Sequence, residues 1–139
     1  MGRNIIAAFG VAVSLSAASA YAGDISVAEA GARHGQALSA AKICPGGKIT
    51  AKGEALPGSY SGDDTAVFKA ESEKVTAAWD KAFQCEEVDP ATHHSTTCRR
   101  MKLISCRQAW IEIGPEGRNI PGLLDVDFSA WAEKHPEAP

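Results

Sequence analysis

The sequence is short of positive charge, of long apolar runs and of aromatic rings, and each shortage narrows the field. Its 14 Lys and Arg are outnumbered by 17 Asp and Glu, for a net charge of −3. A grip on a polyanion through bulk positive charge is therefore missing, and nucleic acid is set aside as a partner. The one extended apolar run, residues 5–18, falls short of the roughly 20 residues that a bilayer span needs. Aromatic residues make up only 6% of the chain, so burial of large rings cannot carry the fold unaided. There is no Cys-x-x-Cys pair to suggest redox chemistry, no haem-attachment motif, no internal repeat and no low-complexity tract. What remains is a chain of 139 residues, 45% apolar and 22% charged, which has room for one globular domain and not two.

The amino terminus reads as an export signal. Arg3 is the only charge before Asp24, the apolar run follows it, and Ala20-Tyr21-Ala22 has the small-x-small form that signal peptidase accepts. The expectation is a cleaved signal at residues 1–22 and a single domain at residues 23–139, in the periplasm or secreted. Loss of residues 1–22, with Arg3, leaves 117 residues and moves the net charge to −4. No later segment is apolar enough to span a membrane.

The mature chain keeps Cys44, Cys85, Cys98 and Cys106. An even number in an exported protein reads as two disulfides, for which three pairings exist. If Cys98 and Cys106 lie on one helix, they stand about 12 Å apart along its axis, beyond the reach of a bridge. Cys85 would close one helix and Cys98 open the next, so an antiparallel hairpin brings them to the same end. The spacing thus favours Cys85–Cys98 and Cys44–Cys106.

The pattern predicts an all-α domain of three main helices plus a short C-terminal helix, with long Gly/Pro-rich loops. Ser26-Val27-Ala28-Glu29 has the form of a capping box and opens a helix at 27–43, with Val27, Ala30, Ala37, Leu38 and Ala41 on its apolar side. Cys44-Pro45-Gly46-Gly47 stops it. Gly31 and Gly35 weaken this helix unless they permit close packing. Residues 45–62 are dense in Gly and Pro and read as an irregular, mobile excursion. From Asp64, capped by Asp63 or Asp64, a second helix carries Val67, Phe68, Val75, Ala78, Trp79, Ala82 and Phe83 on one face, and residues 86–90 end it at Pro90. A third runs from Thr96 or Thr97 to about Ile113, with Leu103, Cys106, Ala109, Trp110 and Ile113 on one side. Residues 115–126 read as a second irregular stretch. Asp127 then caps a short helix that carries Phe128 and Trp131 into the core.

Chemical motifs are sparse. His93 and His94, near Glu86, Glu87 and Asp89, could hold a metal or a small molecule. However, Cys85 and Cys98 would be consumed by a disulfide, so no metal or cofactor is assigned. Ser39-Ala40-Ala41-Lys42 has the Ser-x-x-Lys form of penicillin-recognising enzymes but lacks their companion motifs. A small hydrolase is the weakest of three readings, behind a carrier using the His93/His94 loop. Gly58-Ser59-Tyr60-Ser61-Gly62 has tyrosine where a nucleophile elbow needs serine. Gly46-Gly47-Lys48 lacks the rest of a phosphate loop, and Asp125-Val126-Asp127 continues into Ala130 where a calcium loop needs glycine.

One surface pattern stands out. Arg100, Ile104, Arg107 and Ile111 recur at four- and three-residue steps on the third helix, away from its apolar side. Either the isoleucines pack beneath a loop or the row meets an anionic, partly apolar surface, since arginine and exposed aliphatics are common at interfaces. The run Gln108-Ala109-Trp110-Ile111 resembles a segment of the LprI-type periplasmic lysozyme inhibitors. The cysteine that follows it in that family is missing here, and the run assigns no family. The sequence favours binding of a protein or cell-envelope component over catalysis.

Overall fold

The computed structural model describes residues 25–85 and 94–129. It is predominantly helical, in the order α1 (Val27–Ile43), β1 (Lys48–Ile49), α2 (Ala51–Ala55), a 3-10 turn (Leu56–Ser59), α3 (Asp63–Ala82), α4 (His94–Ile113) and β2 (Leu124–Asp125). The two strands pair antiparallel, Lys48 opposite Asp125 and Ile49 opposite Leu124. Both disulfides join the cysteines favoured by spacing: Cys44–Cys106 and Cys85–Cys98, with Cα separations of 5.7 and 5.5 Å. The expected export signal lies outside the described residues, as do His93, Trp131 and most of the C-terminal helix.

Helix α1 is the central element, packed on α3, α4 and both strands. Ser26 starts it by accepting from the Glu29 amide at 3.1 Å, while the Glu29 carboxylate lies 3.7 Å from Arg33. Ala30, Ala37 and Ala40 are buried. Leu38, expected inside, is 40% exposed, and the close contact with α3 is made by glycine. A Cβ at Gly31 would collide with the Phe68 carbonyl, and one at Gly35 with that of Ser72. The two glycines therefore let the backbones of α1 and α3 approach more closely than side chains would allow.

That contact rotates α3 away from the expected face. Phe68 and Ser72 are buried, Val75, Trp79 and Phe83 are half-buried, and Val67, Ala78 and Ala82 face outward. Gly62, at φ +59°, occupies the cap position expected of Asp63 or Asp64; both aspartates fall in the first turn, where they complement the helix dipole. The helix closes at Ala82, with the Phe83 amide bonded to the Trp79 carbonyl.

Residues 45–62 are built, not irregular. Thr50 caps α2 by accepting from the Gly53 amide at 3.1 Å, donates its hydroxyl to the Gly122 carbonyl and takes the Leu123 carbonyl with its own amide. Lys52 Nζ donates to the Pro121 carbonyl at 2.6 Å. Gly53 sits against Ile49 and the Leu123 carbonyl, where a Cβ would not fit. The glycines and prolines punctuate very short elements that clasp residues 121–125.

Helix α4 opens at His94, earlier than expected, and buries Leu103, Cys106, Ala109 and Ile113. With Leu123, Leu124, Ile120 and Phe68 these complete the core. Beyond β2, Asp127 accepts from the Ser129 amide at 3.0 Å, the geometry of a helix start. Phe128 meets Trp110 edge-on at 6.0 Å.

Candidate functional site

The inner side of α4 is fixed twice over, by Cys106 in its bridge to Cys44 and by Leu103, Ala109 and Ile113 in the core. Rotation about the helix axis is thereby set, and residues 100, 104, 107 and 111 come to lie opposite. Arg100 and Arg107 are exposed, and Ile104 and Ile111 are 48% and 42% exposed. The turn after α4 reaches Ile111, whose carbonyl accepts from the Arg118 amide at 3.0 Å. Met101, 49% exposed, joins the row at its N-terminal end. Sequence reading missed it because it lies at the edge of the stripe, although its three-residue step to Ile104 was the available signal. At the other end the row meets a shallow recess of about 340 Å³ lined by Trp110, Ile111, Pro115, Glu116 and Arg118.

The charge along α4 is unbalanced. From His94 to Ile111 the helix carries Arg99, Arg100, Lys102 and Arg107 and no acid. Arg99 and Arg100 form no ion pair among the described residues. Glu112, the first acid in the helix, is committed elsewhere: Arg33 and Gln36 donate to its Oε2, the latter at 2.7 Å, and Gln108 donates to its Oε1 at 2.8 Å. The Asn119 side-chain oxygen, turned toward the guanidinium, accepts from Arg33 Nε at 3.2 Å and Nη2 at 2.9 Å. This half-buried network ties α1, α4 and the following turn together, and its donors satisfy the charge that burial would otherwise penalise.

The other candidates separate. Ser39 is fully buried, and its hydroxyl has no partner among the described residues. Lys42 points outward to Asp80 Oδ1 at 3.2 Å, with most of its side chain in solvent. The ammonium is thus engaged away from the serine it would need to activate. A pair that the sequence did not announce is His34 and Ser72, Nδ1 to Oγ 3.0 Å. Both are buried, and the Phe68 ring covers the histidine at 5.2 Å between centroids. The spacing is that of a nucleophile and its base, but with both groups sealed between helices it serves as a bond between α1 and α3. Desolvation pushes the His34 pKa down and holds the ring neutral.

Cys85 and Cys98 are oxidised to each other. Among the described residues no three His, Cys, Asp or Glu side chains converge to hold a metal, and His93 lies outside them. No helix among them is long and apolar enough to cross a membrane. No family model matches this chain, and neither a curated protein nor a solved structure does so.

Proposed function

We propose that this chain is an exported binding protein. Residues 1–22 direct export and are removed, and the domain at 23–139 acts in the periplasm or outside the cell by recognising a protein or envelope component, without catalysis. The observation that carries this reading is the outer side of α4, where Ile104 and Ile111 stand half in solvent, alternating with Arg100 and Arg107. Aliphatic side chains in line with guanidinium groups are the composition of a recognition surface. Two disulfides in a domain of this size fit an oxidising compartment. The test is capture from a cell-envelope extract by immobilised parent and by Arg100→Glu/Arg107→Glu. The variant should lose the captured component while keeping its helical circular dichroism, because both positions face solvent. Undiminished capture by a folded variant would remove this surface from consideration.

A further inference from the structure

We infer that the recess where α4 ends is a saccharide site, and that it takes one pyranose ring of a neutral glycan against Trp110. It goes beyond the binding role proposed for Arg100 and Arg107, uses neither of them, and adds a second, smaller site at the end of the same helix. Three observations carry it.

The first is that the recess is built. The amides of Gly117, Arg118, Asn119 and Gly122 donate to the carbonyls of Gly114, Ile111, Glu112 and Gly114 at 2.6–3.0 Å. The turn that bears Pro115, Glu116 and Arg118 is thereby laced to the last turn of α4. Trp110 is half-buried against the core and meets Phe128 edge-on. Gly114 closes in from another direction, since a Cβ there would stand 3.1 Å from Cδ2 of the indole. The ring is held in place before any ligand arrives, and little binding energy is lost to ordering it.

The second is what the walls leave unpaired. Glu116 and Arg118 both line the recess, yet they form no ion pair with each other or with any described residue. The indole N–H of Trp110 donates to no described group either. The site therefore offers one acceptor group, a fork of donors and a single further donor around Trp110, Ile111 and Pro115. Opposite charges in one recess set aside a simple anion or cation, because what either attracts the other repels. A polyol suits both: each hydroxyl donates to a carboxylate and accepts from a guanidinium.

The third is shape. At about 340 Å³ the recess falls at the lower end of small-ligand sites, about 300–1,000 Å³, but it is shallow. An apolar ligand depends on being enclosed on most sides, which this recess does not provide. A pyranose carries C–H groups on its faces, which the negative face of an indole attracts, and hydroxyls around its rim. A shallow site also leaves the rest of a glycan strand free to run out into solvent. A zwitterionic amino acid meets the same balance of charge, but exposed, screened ion pairs hold such a ligand weakly.

The experiment is a nitrogen-15 NMR titration of the mature protein with the tetramer of N-acetylglucosamine, with cellotetraose and with maltotetraose, and with leucine as the zwitterionic competitor. Trp110→Phe assigns the indole signal. At least one of the three saccharides should move that signal and the amides of residues 116–118, saturating at about millimolar concentration. Glu116→Ala/Arg118→Ala keeps the net charge and alters only exposed side chains; it should need at least about tenfold more sugar. Arg100→Glu/Arg107→Glu should titrate as the parent does. The assignment is overturned by the absence of a saturable shift with all three sugars, by a Glu116/Arg118 variant that matches the parent, or by leucine moving the same signals as strongly. Any of these outcomes leaves capture through Arg100 and Arg107 standing. Loss of that capture with sugar binding retained removes the outer side of α4 and leaves this site.

Discussion

Taken out of water and given only a hydroxyl for company, His34 is a base that folding weakens. Its Nδ1 faces Ser72 at 3.0 Å, Phe68 covers the ring, and burial lowers its pKa from 6.5. As pH falls, the unfolded chain takes up this proton before the folded one does. Stability therefore rises with pH across the interval that ends near 6.5, and is lost on acidification below it. Thermal unfolding between pH 7.5 and 5, values chosen to bracket an ordinary histidine at about 6.5, should show a falling melting temperature for the parent. His34→Gln, which keeps a hydrogen-bonding group beside Ser72, should flatten that slope. Parallel curves would assign the acid sensitivity to other groups. At this scale the sequence was uneven. Ser39 and Lys42 looked like a pair because they are neighbours in sequence, whereas His34 and Ser72 are a pair because two helices touch, and no local pattern encodes that.

Among the elements, α1 and α4 were legible and the segment between them less so. The end of α1 is written in Cys44-Pro45-Gly46-Gly47, and the side of α4 that enters the core is written in its apolar spacing. The α4 surface row was visible as spacing too, but periodicity tells which residues share a side, not what covers them; exposure of Ile104 and Ile111 needed the structure. Residues 45–62 defeated the reading because a two-residue strand and a five-residue helix are shorter than any periodic window, and their partners at Pro121, Gly122 and Leu123 are remote in sequence. The face of α3 was misjudged because glycines on another helix decided it. Those glycines give a prediction in which two effects oppose. In an isolated helix Gly→Ala adds about 1 kcal/mol. At Gly31 and Gly35 the added methyl meets an α3 carbonyl, and overpacking of that kind costs about 1–3 kcal/mol. Denaturant titration should show Gly31→Ala and Gly35→Ala each less stable than the parent; a gain at either would mean that the α1–α3 contact is looser than described.

For the whole molecule, the two bridges differ in how much chain they close. Cys44–Cys106 spans 62 positions and joins the end of α1 to the middle of α4, and Cys85–Cys98 spans 13. In the chain-entropy account the first contributes about 4 kcal/mol and the second about 3. Cys44→Ala/Cys106→Ala should accordingly lower the melting temperature more than Cys85→Ala/Cys98→Ala, the more so because Cys106 is fully buried in the core. The reverse order would place the greater part of the stabilisation at the α3–α4 corner. The pairing was readable in advance because helix geometry separates Cys98 from Cys106, and both do lie on α4.

The nesting of these bridges also sets the covalent topology of the protein. The backbone from Cys44 to Cys106 is a closed ring that contains α2, α3 and half of α4, and a smaller ring from Cys85 to Cys98 sits inside it. A single protease cut at any peptide bond between Cys44 and Cys106 opens a ring but releases nothing. The nicked molecule gains one water in mass, runs as an intact chain until its disulfides are reduced, and keeps every helix tethered to the core it packs on.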